Sequence, residues 1–201
     1  SLTLSNETYR QPPRPEGVER GIVAGLYRWA PPPGGLPSAG AILFSGSAWL
    51  AASDAAAELA DRYGIGVELW SATSYKRLRE EALSVERRNL LHPREERRLP
   101  LVTRLLADVR GPVLAVTDYM RAVPDQIARW VPGTYVTLGT DGFGRSDTRA
   151  SLRRFFETDA AHVAFGLLSA LTRSGAVSPA AVDDLVARHG IDLDAPDPWR
   201  V

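Results

Sequence analysis

Tyr135-Val136-Thr137-Leu138-Gly139-Thr140-Asp141-Gly142-Phe143-Gly144-Arg145-Ser146-Asp147 reads as a strand, a glycine loop and the approach to a helix. The glycines let the backbone turn tightly where a Cβ would clash, and Ser146 or Asp147 is placed to cap the amides that open the next helix. Such a loop can cradle an anion. Its spacing, G-x-x-G-x-G, nevertheless matches neither the dinucleotide fingerprint nor the phosphate loop with its terminal Lys, so the residues favour a tightly packed structural loop.

The same alternation of apolar run and helical pattern extends upstream. Ala41-Ile42-Leu43-Phe44, Val67-Glu68-Leu69-Trp70 and Val113-Leu114-Ala115-Val116 read as strands. Helical spacing covers Ser47 to Arg62, with Gly64 as a left-handed stop, then Tyr75 to Arg88, Leu99 to Val109 and Asp125 to Val131. Leu26-Tyr27-Arg28-Trp29 alternates as an edge strand does, and the loop Pro31-Pro32-Pro33-Gly34-Gly35 predicts an antiparallel hairpin with the strand at 41–44.

Downstream the pattern is helical only: Thr148 to Glu157, Ala160 to Arg173, and Pro179 to His189 between Ser178 and Gly190. The tail after Ile191 hugs a surface or frays. Together these elements predict an α/β protein with a mixed sheet of about five strands, mostly parallel with one antiparallel edge strand, covered by helices on both faces. Pro12, Pro13 and Pro15 mark residues 1–15 as an extended linker, leaving 16–201 as one domain. Because the chain opens at Ser1 and enters a strand-like Leu2-Thr3-Leu4, it is expected to be part of a larger protein.

The 201 residues carry 24 basic and 24 acidic side chains, so no global field draws the chain to nucleic acid or anionic membrane. Arg87-Arg88 and the run 94–98 are interrupted by acids and read as a solvated, salt-bridged face. There is no cysteine, which excludes disulfides and thiolate chemistry, and no apolar run long enough to span a bilayer. A cytoplasmic location is expected.

Chemistry is sparse. His92, His162 and His189 lie on separate elements without metal-ligand spacing and read as structural residues. Asp118 and Asp141 each follow a predicted parallel strand, where open α/β sheets place functional groups, but they read more simply as caps accepting backbone amides. No nucleophile elbow is present around Ser45-Gly46-Ser47. No catalytic, cofactor-binding or metal-binding residue is predicted.

Several ordered motifs carry a resemblance along nearly the whole chain: Asn6-Glu7-x-Tyr9, Pro15-Glu16-Gly17-x-x-x-Gly21-Ile22, Leu91-His92-Pro93, Thr117-Asp118-Tyr119-Met120 and the glycine loop. With them the chain resembles the C-terminal domain of the homodimeric, thiamine-diphosphate-dependent first component of the pyruvate dehydrogenase complex. Phe143-Gly144-Arg145-Ser146 is also similar to a loop of transketolases. The resemblance implies a three-layer α/β/α sandwich of the transketolase C-terminal type. In that family thiamine diphosphate and Mg are held by upstream domains, and the lipoyl acetyltransferase core receives the acetyl group. Carried over, it makes Asp118, Tyr119, Met120 and Asp141, Gly142, Phe143, Gly144, Arg145, Ser146 and Asp147 contact loops towards upstream domains or a homodimer partner.

The chain departs from the family at Arg88, where an aromatic residue is expected, in the basic segment 76–88, and in the proline-rich loop 31–37. These departures concern surface contacts. Rival readings are another thiamine-diphosphate enzyme (transketolase or a branched-chain 2-oxo-acid dehydrogenase), an autonomous small-ligand-binding regulatory module and, from residues alone, a hydrolase using Asp118 or Asp141. Exposed apolar surface near Leu2, Leu4 and Phe143 is expected where neighbouring domains are missing.

Overall fold

A computed structural model describes residues 12–200. The linker at 1–15, the Asn6-Glu7-x-Tyr9 motif and Leu2 and Leu4 thus lie wholly or largely outside the described residues.

Five strands form one sheet in the order β1-β3-β2-β4-β5. They are β1 (Leu26–Ala30), β2 (Ser38–Phe44), β3 (Gly66–Ala72), β4 (Val113–Val116) and β5 (Tyr135–Leu138). β2 is parallel to β3 and β4, and β4 to β5, while β1 runs antiparallel along β3 at the edge. The mixed five-strand sheet expected from the sequence is therefore present.

The helices are α1 (Glu19–Ala24), α2 (Trp49–Tyr63), α3 (Tyr75–Leu91), α4 (Leu101–Leu105), α5 (Ala122–Asp125), α6 (Arg149–Phe155), α7 (Ala160–Arg173) and α8 (Pro179–His189). Two separate cores explain why the central strands are apolar without alternation. Ile42, Phe44, Leu114 and Val116 face α2, α7 and α8, whereas Ala41, Leu43, Val113 and Ala115 face α3 and α4. On α2 the buried face is Ala51, Ala52, Ala55, Ala56 and Leu59, small enough for the helix to lie close to both the sheet and α7. Gly64 ends this helix in the left-handed conformation, as its sequence predicts.

Three expectations are corrected. β1 does not form a hairpin with β2, because β3 is inserted between them. The loop 31–37 instead crosses over the start of β3: a Cβ on Gly66 would lie 2.4 Å from the Pro37 carbonyl oxygen, 2.8 Å from Leu36 Cβ and 3.0 Å from Pro32 Cβ. A bare Gly there lets the proline-rich segment pass, and the antiparallel partner of β1 becomes a strand that appears 36 residues downstream (Leu26 opposite Ala72 marks the register).

The helix expected over 99–109 is limited to α4, since Pro100 precedes it and Leu106 leaves helical geometry. The helix expected over 125–131 is divided into α5 and a 3₁₀ turn at Ala128–Trp130. Here burial of Pro124, Ile127 and Trp130 governs the backbone more than propensity does.

Candidate functional site

β2 connects to β3 on one side and has β4 on the other, so the chain reverses its winding between the C-terminal ends of β2 and β4. That crevice is where open α/β sheets bind ligands. Here it contains an internal carboxylate. The Ser47 amide and hydroxyl both donate to Asp118 Oδ2, at 3.2 and 2.9 Å, where a 3₁₀ turn at Gly46–Ala48 leads into α2. The Asp118 side chain thus occupies the position that an anion would take at the helix entrance.

Asp141 plays a parallel part. Its Oδ1 accepts the Arg121 amide at 3.0 Å, and the Arg121 guanidinium reaches Oδ2 at 4.0 Å. The Thr140 amide donates to the Tyr119 carbonyl at 3.0 Å, and the Thr140 hydroxyl to the Asp118 carbonyl at 3.1 Å. These bonds zip the loop after β4 to the loop after β5. Both carboxylates are engaged by backbone amides, as capping residues are.

Within the glycine loop the three glycines differ. A Cβ on Gly139 would meet the Tyr119 carbonyl oxygen at 2.6 Å, and Gly142, at φ +96°, lies under the tail, with Trp199 Cα 2.8 Å from where its Cβ would be. Gly144 faces open space. The tail is secured by the Arg121 guanidinium, 5.6 Å from the centre of the Trp199 ring. Sequence reading finds no signal for this Arg121–Trp199 contact, because the two residues are distant in the chain and neither belongs to a motif.

Arg145 stacks on Phe155 of α6 at 4.2 Å. Asp147 Oδ1 accepts the Thr148 amide at 2.6 Å, but the cap of α6 is Thr148, whose hydroxyl accepts the Ser151 amide at 3.2 Å. Neither Ser146 nor Asp147 fills the capping position the sequence suggested, since the extended residue directly before the helix is Thr148.

The result is an edge tied together at Thr140 and Asp141, from which large side chains project. Phe143 is 90% exposed and Met120 54%, with Tyr119 and Trp199 also exposed beside them. Phe143 also lines an open cleft of about 270 Å³, together with Ser47, Thr117, Asp118, Thr140, Arg145 and Phe156 among others.

The histidines are each accounted for elsewhere. His162 Nδ1 contacts Asp159 Oδ1 at 2.7 Å in a mostly buried position, His189 contacts Glu58 at 2.8 Å, and His92 lies 3.2 Å from Glu95 on the surface. Burial would raise the Asp159 carboxyl, but hydrogen bonds from the His162 side chain and amide, with Arg154 nearby, hold it below the usual carboxylate range. Burial pushes the phenols of Tyr75 and Tyr135 well above their ordinary range, so both stay protonated at neutral pH. Among the described residues no three His, Asp or Glu side chains converge as a metal seat.

A family model described as a transketolase-like C-terminal domain matches residues 25–159. The chain is 45% identical over 192 residues to the pyruvate dehydrogenase E1 component of Mycolicibacterium smegmatis, covering 95% of this chain and 21% of that protein. It is 39% identical over 198 residues to the Escherichia coli K12 protein of the same name, covering 98% of this chain and 22% of that one. The chain therefore spans about a fifth of the length of these relatives. A transketolase from Leishmania mexicana shares the fold, with a TM-score of 0.50 at 20% identity over 77% of this chain and 19% of that one.

Proposed function

The chain belongs to the transketolase-like C-terminal domain family, and from that premise we propose that it is the non-catalytic packing and dimer-contact domain of a thiamine-diphosphate-dependent pyruvate dehydrogenase. The whole protein would decarboxylate pyruvate and acetylate the lipoyl group of an acetyltransferase core, in the cytoplasm. Residues 16–201 would be the domain and 1–15 its link to upstream cofactor-binding domains.

The observation that carries this reading is the outward cluster of Tyr119, Met120, Phe143 and Trp199 on loops held rigid from beneath. Aromatic, Met and Arg side chains are the types enriched in buried interfaces, and a rigid mount reduces the entropy lost on contact. The loops Asp118–Met120 and Asp141–Asp147 would meet a neighbouring domain or the homodimer partner. The sequence identities to pyruvate dehydrogenase E1 components favour that enzyme over transketolase.

Thiamine diphosphate with Mg does not fit the residues here. The switch-point crevice already holds the Asp118 carboxylate, which repels a diphosphate, and no metal seat converges among the described residues. When bound upstream, the cofactor would supply the carbanion chemistry, and this domain's part would be to hold the assembly's geometry.

The test is calorimetric titration of thiamine diphosphate and Mg into the 201-residue chain and into the longer protein from the same genome. Binding to the longer protein alone is the expected result. Saturable binding to the chain by itself would overturn the proposal and turn the strand-end crevice into a ligand site.

A further inference from the structure

The C-terminal segment is anchored at two points and exposed between them. At its root, Gly190 ends α8 in the left-handed conformation and Ile191 is buried in the core that α2, α7 and α8 share. Arg154 of α6 fixes this root by donating to the His189 and Gly190 carbonyls at 2.8 and 2.7 Å. At the far end a 3₁₀ turn, Pro198–Arg200, is closed by the Arg200 amide on the Asp197 carbonyl at 2.9 Å and sets Trp199 over Gly142. Residues 192–196 between these anchors are all exposed. Among the described residues, the hydrogen bonds of 192–200 stay within the segment.

The far anchor bears directly on the glycine loop. A Cβ on Gly142, at φ +96°, would lie 2.8 Å from Trp199 Cα and 3.3 Å from its Cβ, so only a bare backbone lets the turn rest there. Arg121 joins the turn to the loop. Its amide donates to Asp141 Oδ1 at 3.0 Å, and its guanidinium lies 4.0 Å from Asp141 Oδ2 and 5.6 Å from the centre of the Trp199 ring. The exposed span also shares a hollow of about 300 Å³ with the loop, where Asp192, Ala195 and Pro196 line it together with Arg145, Phe155 and His162. The segment thus borders the glycine loop at both Gly142 and Arg145.

We infer that residues 191–200 are a strap that latches the glycine loop. Closed, it holds Asp141 and Gly142 in the shape from which Phe143 projects. Open, it lifts from Gly142 and leaves the loop less ordered, with both cores intact. The far anchor is weak enough for this: a cation–π contact at an exposed site changes the open population by only about two- to fivefold, while the cores open with the domain as a whole. The consequence for function rests on the reading of these loops as a contact surface, since a loop ordered beforehand loses less entropy on contact.

The experiment is residue-resolved hydrogen exchange on the 201-residue chain. Two amides bonded between the loops report on the latch, Arg121 to Asp141 and Thr140 to the Tyr119 carbonyl, and the Ala41 amide, bonded to the Pro112 carbonyl in the sheet, is the internal reference. Trp199→Ala should quicken exchange of Arg121 and Thr140 by about two- to fivefold, and removal of residues 198–201 by at least as much, with Ala41 unchanged. Trp199→Phe keeps a ring for Arg121 and should stay closer to the parent chain than Trp199→Ala does.

Exchange of both reporter amides that is unchanged by the truncation, or that quickens equally at Ala41, would overturn the proposal. So would a Trp199→Phe chain that exchanges as fast as Trp199→Ala, because the ring would then not be the anchor. The contact reading fails separately: it falls if Phe143→Ser leaves dimerisation of the longer protein unchanged in sedimentation equilibrium, whereas exchange in the isolated chain alone decides the latch.

Discussion

Replacing Asp118 with Ala should destabilise the isolated chain although the residue is exposed and lies outside both cores. The side chain accepts two hydrogen bonds from Ser47, and both are lost together. Loss of a capping acceptor costs about 1 kcal/mol, and a charge-assisted bond to a hydroxyl adds a comparable amount before water competes. Exposure lets solvent repair part of the damage, so the net expectation is about 1–2 kcal/mol. For a domain of this size that corresponds to a fall in Tm of about 2–8 °C, read by differential scanning calorimetry. Asp118→Asn retains one acceptor oxygen and should lose about half as much. A double-mutant cycle with Ser47→Ala should recover the hydroxyl share of this loss and leave the amide share. A Tm for Asp118→Ala within about 1 °C of wild type would refute the view that this carboxylate fills the helix entrance.

Gly66→Ala places a methyl 2.4 Å from the Pro37 carbonyl oxygen and should cost about 1–3 kcal/mol in urea unfolding, whereas Gly144→Ala, in open space, should be nearly silent; equal effects would contradict the crossing of loop 31–37 over β3. The depressed Asp159 carboxyl means that the folded state binds its proton less readily than the unfolded one. Its contribution is therefore complete above the ordinary carboxylate range and lost as pH falls below about 4. Asp159→Asn should lower Tm at neutral pH and flatten the acid limb of the Tm–pH curve, and an unchanged limb would show that the His162 contact does not operate. Phe143→Ser should leave the Tm of the isolated chain within about 1 °C because the ring is 90% exposed, while weakening dimerisation of the longer protein in sedimentation equilibrium; a large loss of stability in the isolated chain would mean the ring is used within the domain.

Much of the sheet was legible because both of its faces are covered: continuous runs such as Ala41–Phe44 and Val113–Val116 have few other ways to satisfy burial. The edge was harder to read. Leu26–Ala30 is an edge strand as expected, but its burial does not alternate, and its pairing with β3 goes with a close approach at Gly66 that no periodicity reports. Short helices were misjudged for a related reason. Around Pro100 and Pro124 the apolar residues are placed by contacts with α3 and the sheet, so helical spacing overstates helical length. The positions of Asp118 and Asp141 at strand ends were evident, and their occupation by backbone amides follows from loops that must satisfy their own donors. Arg121 and Trp199 stayed hidden because their pairing exists only once the tail is brought over Gly142.

On the proposed reading, the same construction lets a ligand-binding architecture serve as a mounting. A parallel sheet with a winding reversal opens a crevice at its strand ends, and a helix entrance there attracts negative charge. A phosphate could satisfy that field, but Asp118 satisfies it from within the chain. The loops above are then tied to one another by Thr140 and Asp141 instead of closing over a ligand. Their outer surface carries Met120 and Phe143, apolar side chains that suit a contact that excludes water. On this argument the carboxylate and the exposed aromatic edge are two parts of one arrangement. Asp118→Ala keeps the main-chain carbonyl that accepts the Thr140 hydroxyl but frees from Ser47 the loop that presents it, so amide exchange should quicken in residues 45–48 and, through that carbonyl, across 139–143. Exchange that quickened at 45–48 alone would separate the helix entrance from the glycine loop and remove the mechanical link between them.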